Sequence, residues 1–412
     1  MKAENIKINN FIQIKNLNKS LLKKTRKRIS TIFSEIESDL ENPKKFFNIL
    51  SSNYKMTFSY KKLKKYKKFK NIVIVGMGGS ILGAEAIYKF LNHKIKKKIH
   101  FLNNINENQI KKLKKELNFQ KTLFIIISKS GTTIETLSNL VSLDIIKKNK
   151  KNIICISEKK NNPLYEISKK YKLFFIEHKK FIGGRFSVLS EVGIVPAYLM
   201  GINVNELRSC LGNFVLSVKK NILKESVIKI SNLFLQKKFS NLVFLNYIPE
   251  FEKFLFWCQQ LIAESLGKKG KGFLPLISNV PKDHHSLLQL YLDGPKNNIF
   301  YIFSLDEHSG EKFNVKKYSS KIKFLENKNL TTVKKAQKNS LIQTLKKYKL
   351  DYREFKIKSV KENVLGEIFS YFILETIIIG KLSNINPYNQ PAVEQVKNKT
   401  KKLLLKLPKN YF

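Results

Sequence analysis

The feature that most constrains this chain is an apolar segment that ends in a cluster of hydroxyl groups. Residues 123–127 (LFIII) are β-branched or aromatic apart from one leucine, which is typical of a strand buried on both faces of a parallel sheet. SKSGTT at 128–133 follows at once, and a helix is predicted to begin with Thr133 as its N-cap. Backbone amides and hydroxyls at a helix N-terminus, just past the carboxyl end of a strand, can cradle a phosphate group. The spacing of a Walker P-loop is absent, and a capping turn without a ligand remains the alternative.

Predicted strands and helices alternate along most of the chain, in two sets. The first set has strands at 71–75, 97–102, 122–128, 152–157 and 173–178. A helical bridge over 189–230, broken near Gly201, leads to the second set, with strands near 242–247, 273–278, 298–305 and 353–358. This alternation predicts an α/β fold with two doubly wound, parallel-sheet subdomains, flanked by helical N-terminal and C-terminal segments.

We expect four segments in this fold. They are a helical N-terminal segment at 1–55, a first α/β subdomain with the phosphate cradle at 56–200, a second α/β subdomain at 201–380, and a C-terminal helix at 381–412 that closes the site. Two similar α/β units in one chain suggest a ligand cleft between them.

The chain carries 78 Lys and Arg against 31 Asp and Glu, a formal net charge of +47, which by itself would suggest a nucleic-acid partner. Only five of these basic residues are arginine, while lysine, asparagine, isoleucine and phenylalanine abound. Codons for those residues are rich in A and T, so genome composition explains the charge, and no specific nucleic acid is expected as a partner. We interpret YKKLKKYKKFK at 60–70 as the solvated face of a linker or helix. Its aromatics and lysines could also grip single strands, and that alternative stays open.

Several features predict a cytoplasmic protein. The three scattered cysteines form neither a metal-binding spacing nor a disulfide framework. The first ten residues lack the apolar core of a signal peptide. No apolar run reaches the roughly 18 residues that a membrane span needs, and the longest, Ile368–Ile379, is interpreted as a buried helix. No membrane partner is expected.

Two glycine-rich stretches could bring the backbone close to a ligand. GMGGS at 76–80 follows the first strand, and its glycine spacing differs from the GxGxxG dinucleotide fingerprint. GGRFS at 183–187 places one of the five arginines after two glycines, which suggests that a planar, permanently charged fork is needed there. The alternatives are a ligand-free turn for the first stretch and a surface ion pair for the second.

Acid–base candidates occur in three later stretches. Glu264 ends the apolar face of a predicted helix, where desolvation could raise its pKa as a general base requires; an exposed helix end is the alternative. His285 lies in the stretch DHHS, where Asp283 is predicted to be the N-cap, and it could exchange a proton or merely cap the helix. Gln390 and Lys397 are seven residues apart at the terminal helix and are expected to face one way, which alone indicates only a solvated face.

Six segments together resemble the phosphoglucose isomerase family, which interconverts glucose 6-phosphate and fructose 6-phosphate in glycolysis and gluconeogenesis. They are GMGGSILG at 76–83, SKSGTTIET at 128–136, GGRFSVLSEVG at 183–193, QQLIAESLGKKGKG at 259–272, HSLLQL at 285–290 and NPYNQPAVEQVK at 386–397. The resemblance implies two sugar-isomerase subdomains, a homodimer, a sugar-phosphate substrate, and neither a metal nor a cofactor.

The resemblance also implies roles for individual residues. His285, assisted by Lys397, would open the sugar ring. Glu264 would then move a proton between C2 and C1 through a cis-enediolate, which Arg185 would stabilise. In the family, the histidine matched by His285 reaches the other subunit's site, so a composite active site is expected. Substrate contacts would come from Gly79, Ser80, Ser128, Lys129, Ser130, Thr133, Gly184 and Gln390.

Three positions depart from the family pattern. Ala392 stands in place of the glycine of QPGVE, and Tyr388 and Asn389 replace a Phe-Asp pair. Two rival functions stay open. One is another isomerase of this fold, acting on mannose 6-phosphate or an amino sugar; the presence of Gln390 favours glucose. The other is a non-catalytic sugar-phosphate sensor that binds nucleic acid, which would need the cradle but not the acid–base residues.

Overall fold

The computed structural model describes residues 5–148, 150–306 and 310–407. Its strands are β1 (Ile6–Phe11), β2 (Asn71–Val75), β3 (Lys98–Leu102), β4 (Thr122–Ile127), β5 (Ile153–Ser157), β6 (Phe174–Glu177), β7 (Asn241–Asn246), β8 (Leu274–Asn279), β9 (Asn298–Leu305) and β10 (Tyr352–Ile357). Its helices are α1 (Lys19–Leu40), α2 (Tyr60–Leu63), α3 (Leu82–Phe90), α4 (Glu107–Glu116), α5 (Ile134–Leu143), α6 (Ile145–Lys148), α7 (Pro163–Lys170), α8 (Glu191–Met200), α9 (Val204–Arg208), α10 (Asn213–Leu216), α11 (Lys219–Leu235), α12 (Glu252–Leu266), α13 (Leu288–Asp293), α14 (Leu330–Lys347), α15 (Glu362–Leu382) and α16 (Pro391–Lys406). The nine predicted strands are all present, with ends within one residue of the prediction.

The first sheet has the order β3-β2-β4-β5-β6 and is parallel throughout. Every residue of β4 is buried, as expected for a strand with helices on both faces. Chain order reverses between the adjacent strands β2 and β4, and ligands of open α/β sheets bind outside the carboxyl ends of strands at such a switch point. The turns after β2 and β4 therefore lie at one edge of this sheet.

The second sheet has the order β8-β7-β9-β10-β1, with β7, β8, β9 and β10 parallel. The sequence did not predict β1, which pairs antiparallel with β10 at the edge of this sheet. Ile6 and Ile8 are buried in the core, while Asn9 and Asn10 are only partly buried and Phe11 is exposed. An alternation that covers two apolar residues is too short a signal to identify a strand from sequence.

The interior of the molecule is built around α15, whose residues are almost all buried. This confirms the buried helix predicted at Ile368–Ile379. By length and composition α15 could cross a membrane, and it is the single such helix among the described residues, but 94% of its apolar window lies inside the protein. One hydrophobic cluster joins α15 to residues of both sheets, such as Ile125 and Phe303.

Helix α12 lies at the junction of the two sheets. It packs against α3, which follows the first strand of the first sheet, and against α15 and β8. Trp257 and Leu261 on its buried face have 1% and 0% exposure, so this face anchors the helix. Its C-terminal end is consequently held beside the glycine-rich turns of the first sheet.

Candidate active site

The two glycine-rich turns are in direct contact. A Cβ atom added at Gly79 would lie 2.3 Å from the carbonyl carbon of Gly184, so only glycine allows this approach. Ser187 joins the turns, because its hydroxyl donates to the carbonyl oxygens of Gly184 (2.6 Å) and Gly79 (3.4 Å). Ser80, at the end of the first turn, is buried. The structure thus brings Gly79, Ser80 and Gly184 together beside Arg185.

In the turn after β4, the hydroxyl groups form hydrogen bonds with one another and with the backbone. The Ser128 hydroxyl donates to Thr133 Oγ1 (2.9 Å) and accepts the Gly131 N–H (3.1 Å). Ser130 Oγ accepts from the backbone N–H of Thr132. Thr133 is the N-cap of α5, as predicted, but its side chain makes no capping hydrogen bond to the helix. The first-turn amides of α5 therefore lack that internal acceptor, which suits an anion site.

A carboxylate that the sequence did not single out lies beside this turn. Glu158 follows β5, is buried, and pairs with Lys129 (3.7 Å) and Lys160 (2.6 Å). Burial lowers the pKa of Lys129, and Glu158 partly offsets that effect. His178 is buried nearby, and burial together with Lys129 lowers its pKa to about 4, so it is neutral. Glu158 thus pairs with two ammonium groups beside the cradle. The sequence signal that could have identified it is its position directly after β5, the next strand of the same sheet.

Arg185 is 3% exposed and fully engaged, which excludes the surface ion pair considered as an alternative. Its Nη1 lies 3.2 Å from Glu264 Oε2. Burial lowers the pKa of Arg185, and Glu264 opposes that shift. The remaining donors contact Ser265 Oγ (2.8 Å), Gln390 Oε1 (3.1 Å), Pro387 O (2.6 Å) and Asn389 O (3.0 Å). These acceptors need a planar fork, as the scarcity of arginine indicated.

Glu264 lies two residues before the end of α12, and its side chain is 22% exposed. Gln260, one turn earlier, donates to Glu264 Oε2 (3.2 Å). Among the described residues nothing donates to Gln260 Oε1, although this atom is buried. Glu264 is therefore oriented by a guanidinium and an amide while part of its surface stays accessible. Gln260 was not predicted as a site residue, although its i, i+4 spacing to Glu264 is visible in the sequence.

The segment 381–390, which comprises the last two residues of α15 and the residues that lead to α16, is held by four cationic side chains. Arg28 donates to the carbonyl oxygens of Lys381 and Leu382 (both 2.9 Å), and Arg185 contacts the other end. Lys268 and Lys271, just after α12, donate to Asn386 O (2.6 Å) and Ser383 O (3.1 Å). Burial, with Arg185 nearby, lowers the pKa of Lys268 to about 8. These contacts hold Gln390, the N-cap of α16, near the C-terminal end of α12.

Two predicted site residues are not brought to this cluster. His285 is exposed, and among the described residues it makes no hydrogen bond or ion pair. Lys397 lies on α16, which has no buried residue. The predicted N-cap role of Asp283 is wrong: this residue lies inside a 3-10 helix (Lys282–His285), and its carboxylate accepts the N–H of Asn279 instead (2.7 Å). Within one chain these two residues therefore do not join the cluster around Glu264 and Arg185.

No group of three or more His, Cys, Asp or Glu side chains placed to hold a metal ion occurs in the described ranges. That the reaction needs no metal or cofactor stays a prediction.

The arrangement defines a class of protein. Two doubly wound sheets, a hydroxyl-rich cradle at one switch point, and a carboxylate on the helix between the sheets that pairs with an arginine of a glycine-rich turn are features of sugar-phosphate isomerases with paired sugar-isomerase units.

Comparison with known proteins identifies the family. The phosphoglucose isomerase family matches residues 44–272. A probable glucose-6-phosphate isomerase from Methanococcus maripaludis is 30% identical over 87% of this chain and 83% of its own length. A glucose-6-phosphate isomerase from Campylobacter jejuni is 33% identical over 79% and 83%. The chain belongs to the phosphoglucose isomerase family, which confirms the resemblance drawn from the six segments.

Solved structures support the fold. A glucose-6-phosphate isomerase from Chlamydia trachomatis superposes with a TM-score of 0.75 at 16% identity, covering 99% of this chain and 90% of that one. A hypothetical protein from Thermus thermophilus superposes with a TM-score of 0.80 at 22% identity, covering 97% and 99%. The α/β fold with two sugar-isomerase sheets is thereby confirmed.

Proposed function

We propose that this protein is a glucose-6-phosphate isomerase, which reversibly interconverts glucose 6-phosphate and fructose 6-phosphate in glycolysis and gluconeogenesis. One observation carries the proposal: the Glu264 carboxylate is held 3.2 Å from a buried arginine, at the edge where the glycine-rich turns meet. Isomerisation through an enediolate needs a base that moves one proton and a cation for the developing negative charge. This pair supplies both.

The phosphate of the substrate would be bound by the turn after β4. Ser128, Ser130 and Thr133 offer hydroxyls, Lys129 an ammonium, and α5 its first-turn amides. Ser80 and the backbone of Gly79 would face the same edge from the turn after β2. Phosphate contacts persist from ground state to transition state, so their role is affinity and placement of the carbon chain.

Proton transfer follows from the position of Glu264. With the sugar ring open, its carboxylate would take the proton from C2, leaving an enediolate, and return it to C1. Arg185, with the Gly184 backbone nearby, would stabilise the enediolate oxygens, and one such donor is worth about 3–4 kcal/mol. Gln390, which already accepts from Arg185, would line the pocket.

Ring opening would be completed by a second subunit. His285 would hand a proton to the ring oxygen, with Lys397 assisting. His285 is exposed and, among the described residues, makes no hydrogen bond or ion pair, as a group that completes a partner's site would be. Lys397 would assist from the exposed helix α16. Helix α16 also exposes Val393 and Val396, apolar side chains that a dimer would cover. We accordingly infer a homodimer with composite active sites, acting in the cytoplasm.

A coupled assay tests the function directly. Purified protein is given fructose 6-phosphate, and glucose 6-phosphate is detected through its dehydrogenase. Turnover with fructose 6-phosphate that far exceeds turnover with mannose 6-phosphate and amino-sugar phosphates is the expected result. Activity on one of those alternatives alone, or binding without turnover, would contradict the proposal.

A further inference from the structure

A large groove lies at the edge of the first sheet opposite to the active site. Its volume is about 1440 Å³. Its lining residues lie where β2, β4, β5 and β6 begin. The glycine-rich turn at 76–80 and the cradle lie at the opposite edge, where β2 and β4 end. Because these strands are parallel, the two sites are separated by the length of β4, roughly 17 Å. The lining comprises Lys65, Tyr66, Lys68, Phe69, Lys70, Asn71, Gln120, Lys121, Lys150, Lys151, Asn152, Lys170, Tyr171, Lys172, Leu173 and Phe174.

The charge of this groove exceeds what composition explains. Eight of its 16 lining residues are lysine, and none of the 16 is Asp or Glu. Lysine makes up 73 of the 412 residues, since five of the 78 basic residues are arginine. A random set of 16 residues would therefore contain about three lysines. The lysines converge from four separate stretches of sequence, so the fold, and not one lysine-rich run, concentrates the charge.

Aromatic rings lie among these lysines. Tyr66 and Phe174 are in ring contact (5.4 Å between centroids), and the Lys65 ammonium lies over both rings. Lys150 and Lys170 lie 5.3 and 5.6 Å from the centroid of Tyr171. Tyr171 and Phe174 are partly exposed, so they offer ring surface to a ligand. Positive charge with partly exposed rings in a concave surface is the pattern that binds single-stranded nucleic acid, by phosphate contact and base stacking.

The lysine-rich run at 60–70 thus has two parts. Leu63 and Tyr66 are buried and anchor it, while its lysines are exposed and three of them enter the groove. The remaining lysines of the run lie outside the groove and are exposed, as predicted for a solvated face.

We propose that this groove binds single-stranded nucleic acid without sequence preference, independently of the isomerase site. A flat anionic membrane would not reach the rings of a concave surface, which favours a flexible strand. The contacts are to phosphate and to base faces, so affinity should be modest, roughly 10⁻⁶ to 10⁻⁴ M at physiological salt, and should fall steeply as salt rises.

Fluorescence anisotropy with a dye-labelled oligothymidylate of about 15 nucleotides tests the proposal. The groove variant carries Lys68→Gln, Lys121→Gln and Lys170→Gln, one from each of three stretches. The control variant carries Lys23→Gln, Lys24→Gln and Lys27→Gln, three exposed lysines of α1 with the same loss of charge. Isomerase activity in both variants serves as the check on folding.

The groove variant should bind at least about tenfold more weakly at about 0.1 M salt, and its salt slope should fall by roughly 2, at about 0.7 per lost phosphate contact. Tyr171→Leu should weaken binding by about fivefold or more through lost stacking. The control variant should bind like wild type, and all variants should keep isomerase activity.

Three results would overturn the proposal. If the control variant lost as much affinity for the oligonucleotide as the groove variant, binding would depend on overall charge and not on the groove. Equal affinity for duplex DNA with no effect of Tyr171→Leu would exclude stacking of single strands. Binding to phosphatidylglycerol vesicles without binding to the oligonucleotide would assign the groove to membranes.

Discussion

Replacing Arg185 by lysine separates the catalytic role of this residue from its structural role. Lysine keeps the positive charge beside Glu264 but provides one ammonium in place of a planar fork. In the structure the fork also reaches the carbonyl oxygens of Pro387 and Asn389. At least one of these acceptors loses its donor in Arg185→Lys, which should lower the free energy of unfolding by about 1–3 kcal/mol.

The catalytic loss should be larger. Removal of one well-placed donor to a developing oxyanion costs about 2.7–4 kcal/mol, so turnover should fall by about 10²–10³. The KM for sugar phosphate should change little, because the phosphate is bound by the turn after β4. Turnover is followed in the coupled assay and stability by urea unfolding.

Arg208 provides a matched control. It is a partly buried arginine that also donates to carbonyl oxygens, those of Ile49, Ser51 and Leu189, and its guanidinium hydrogen-bonds to none of the described site residues. Arg208→Lys should lose comparable stability and keep its turnover. If Arg185→Lys stayed within about threefold of wild-type turnover, or if both variants lost activity equally, the role of Arg185 at the enediolate would be refuted.

Three further predictions concern the cradle, pH and the dimer. Ser128→Ala combined with Thr133→Ala should raise KM by about tenfold or more with a much smaller effect on kcat, and a loss of kcat alone would place the phosphate elsewhere. Turnover should decline as pH rises through about 8, where Lys268 loses its proton; Lys268→Arg should move this decline to higher pH, and an unchanged pH–rate profile would argue against it. Mixing inactive Glu264→Gln with inactive His285→Ala under subunit exchange should restore about a quarter of wild-type activity, because half the dimers are mixed and each has one intact site. No recovery, with exchange shown by a tag pull-down, would exclude a shared site.

Much of the fold could be predicted because its signals are local. Buried parallel strands such as β4 are continuous apolar runs, and their ends were placed within one residue. Arg185 stood out because arginine is scarce in this chain. The cradle stood out because hydroxyls and glycine follow a buried strand directly.

The parts that sequence did not reveal depend on partners far along the chain. Strand β1 is completed by β10, more than 340 residues later. Lys268 and Lys271 act on carbonyl oxygens 118 and 112 residues away, and a carbonyl carries no sequence signal. The basic groove is assembled from four stretches, of which only the one at 60–70 is conspicuous by itself.

The central claim is that Glu264 moves the proton between C2 and C1, and deuterium exchange in Glu264→Gln tests it most directly. Glutamine keeps the shape and the hydrogen bonding but cannot accept the proton. Wild-type protein should release deuterium from C2 of glucose 6-phosphate into water. The variant should retain the deuterium, turn over at least about 100-fold more slowly and bind sugar phosphate with nearly unchanged affinity. Deuterium release and near-wild-type turnover in Glu264→Gln would contradict the account.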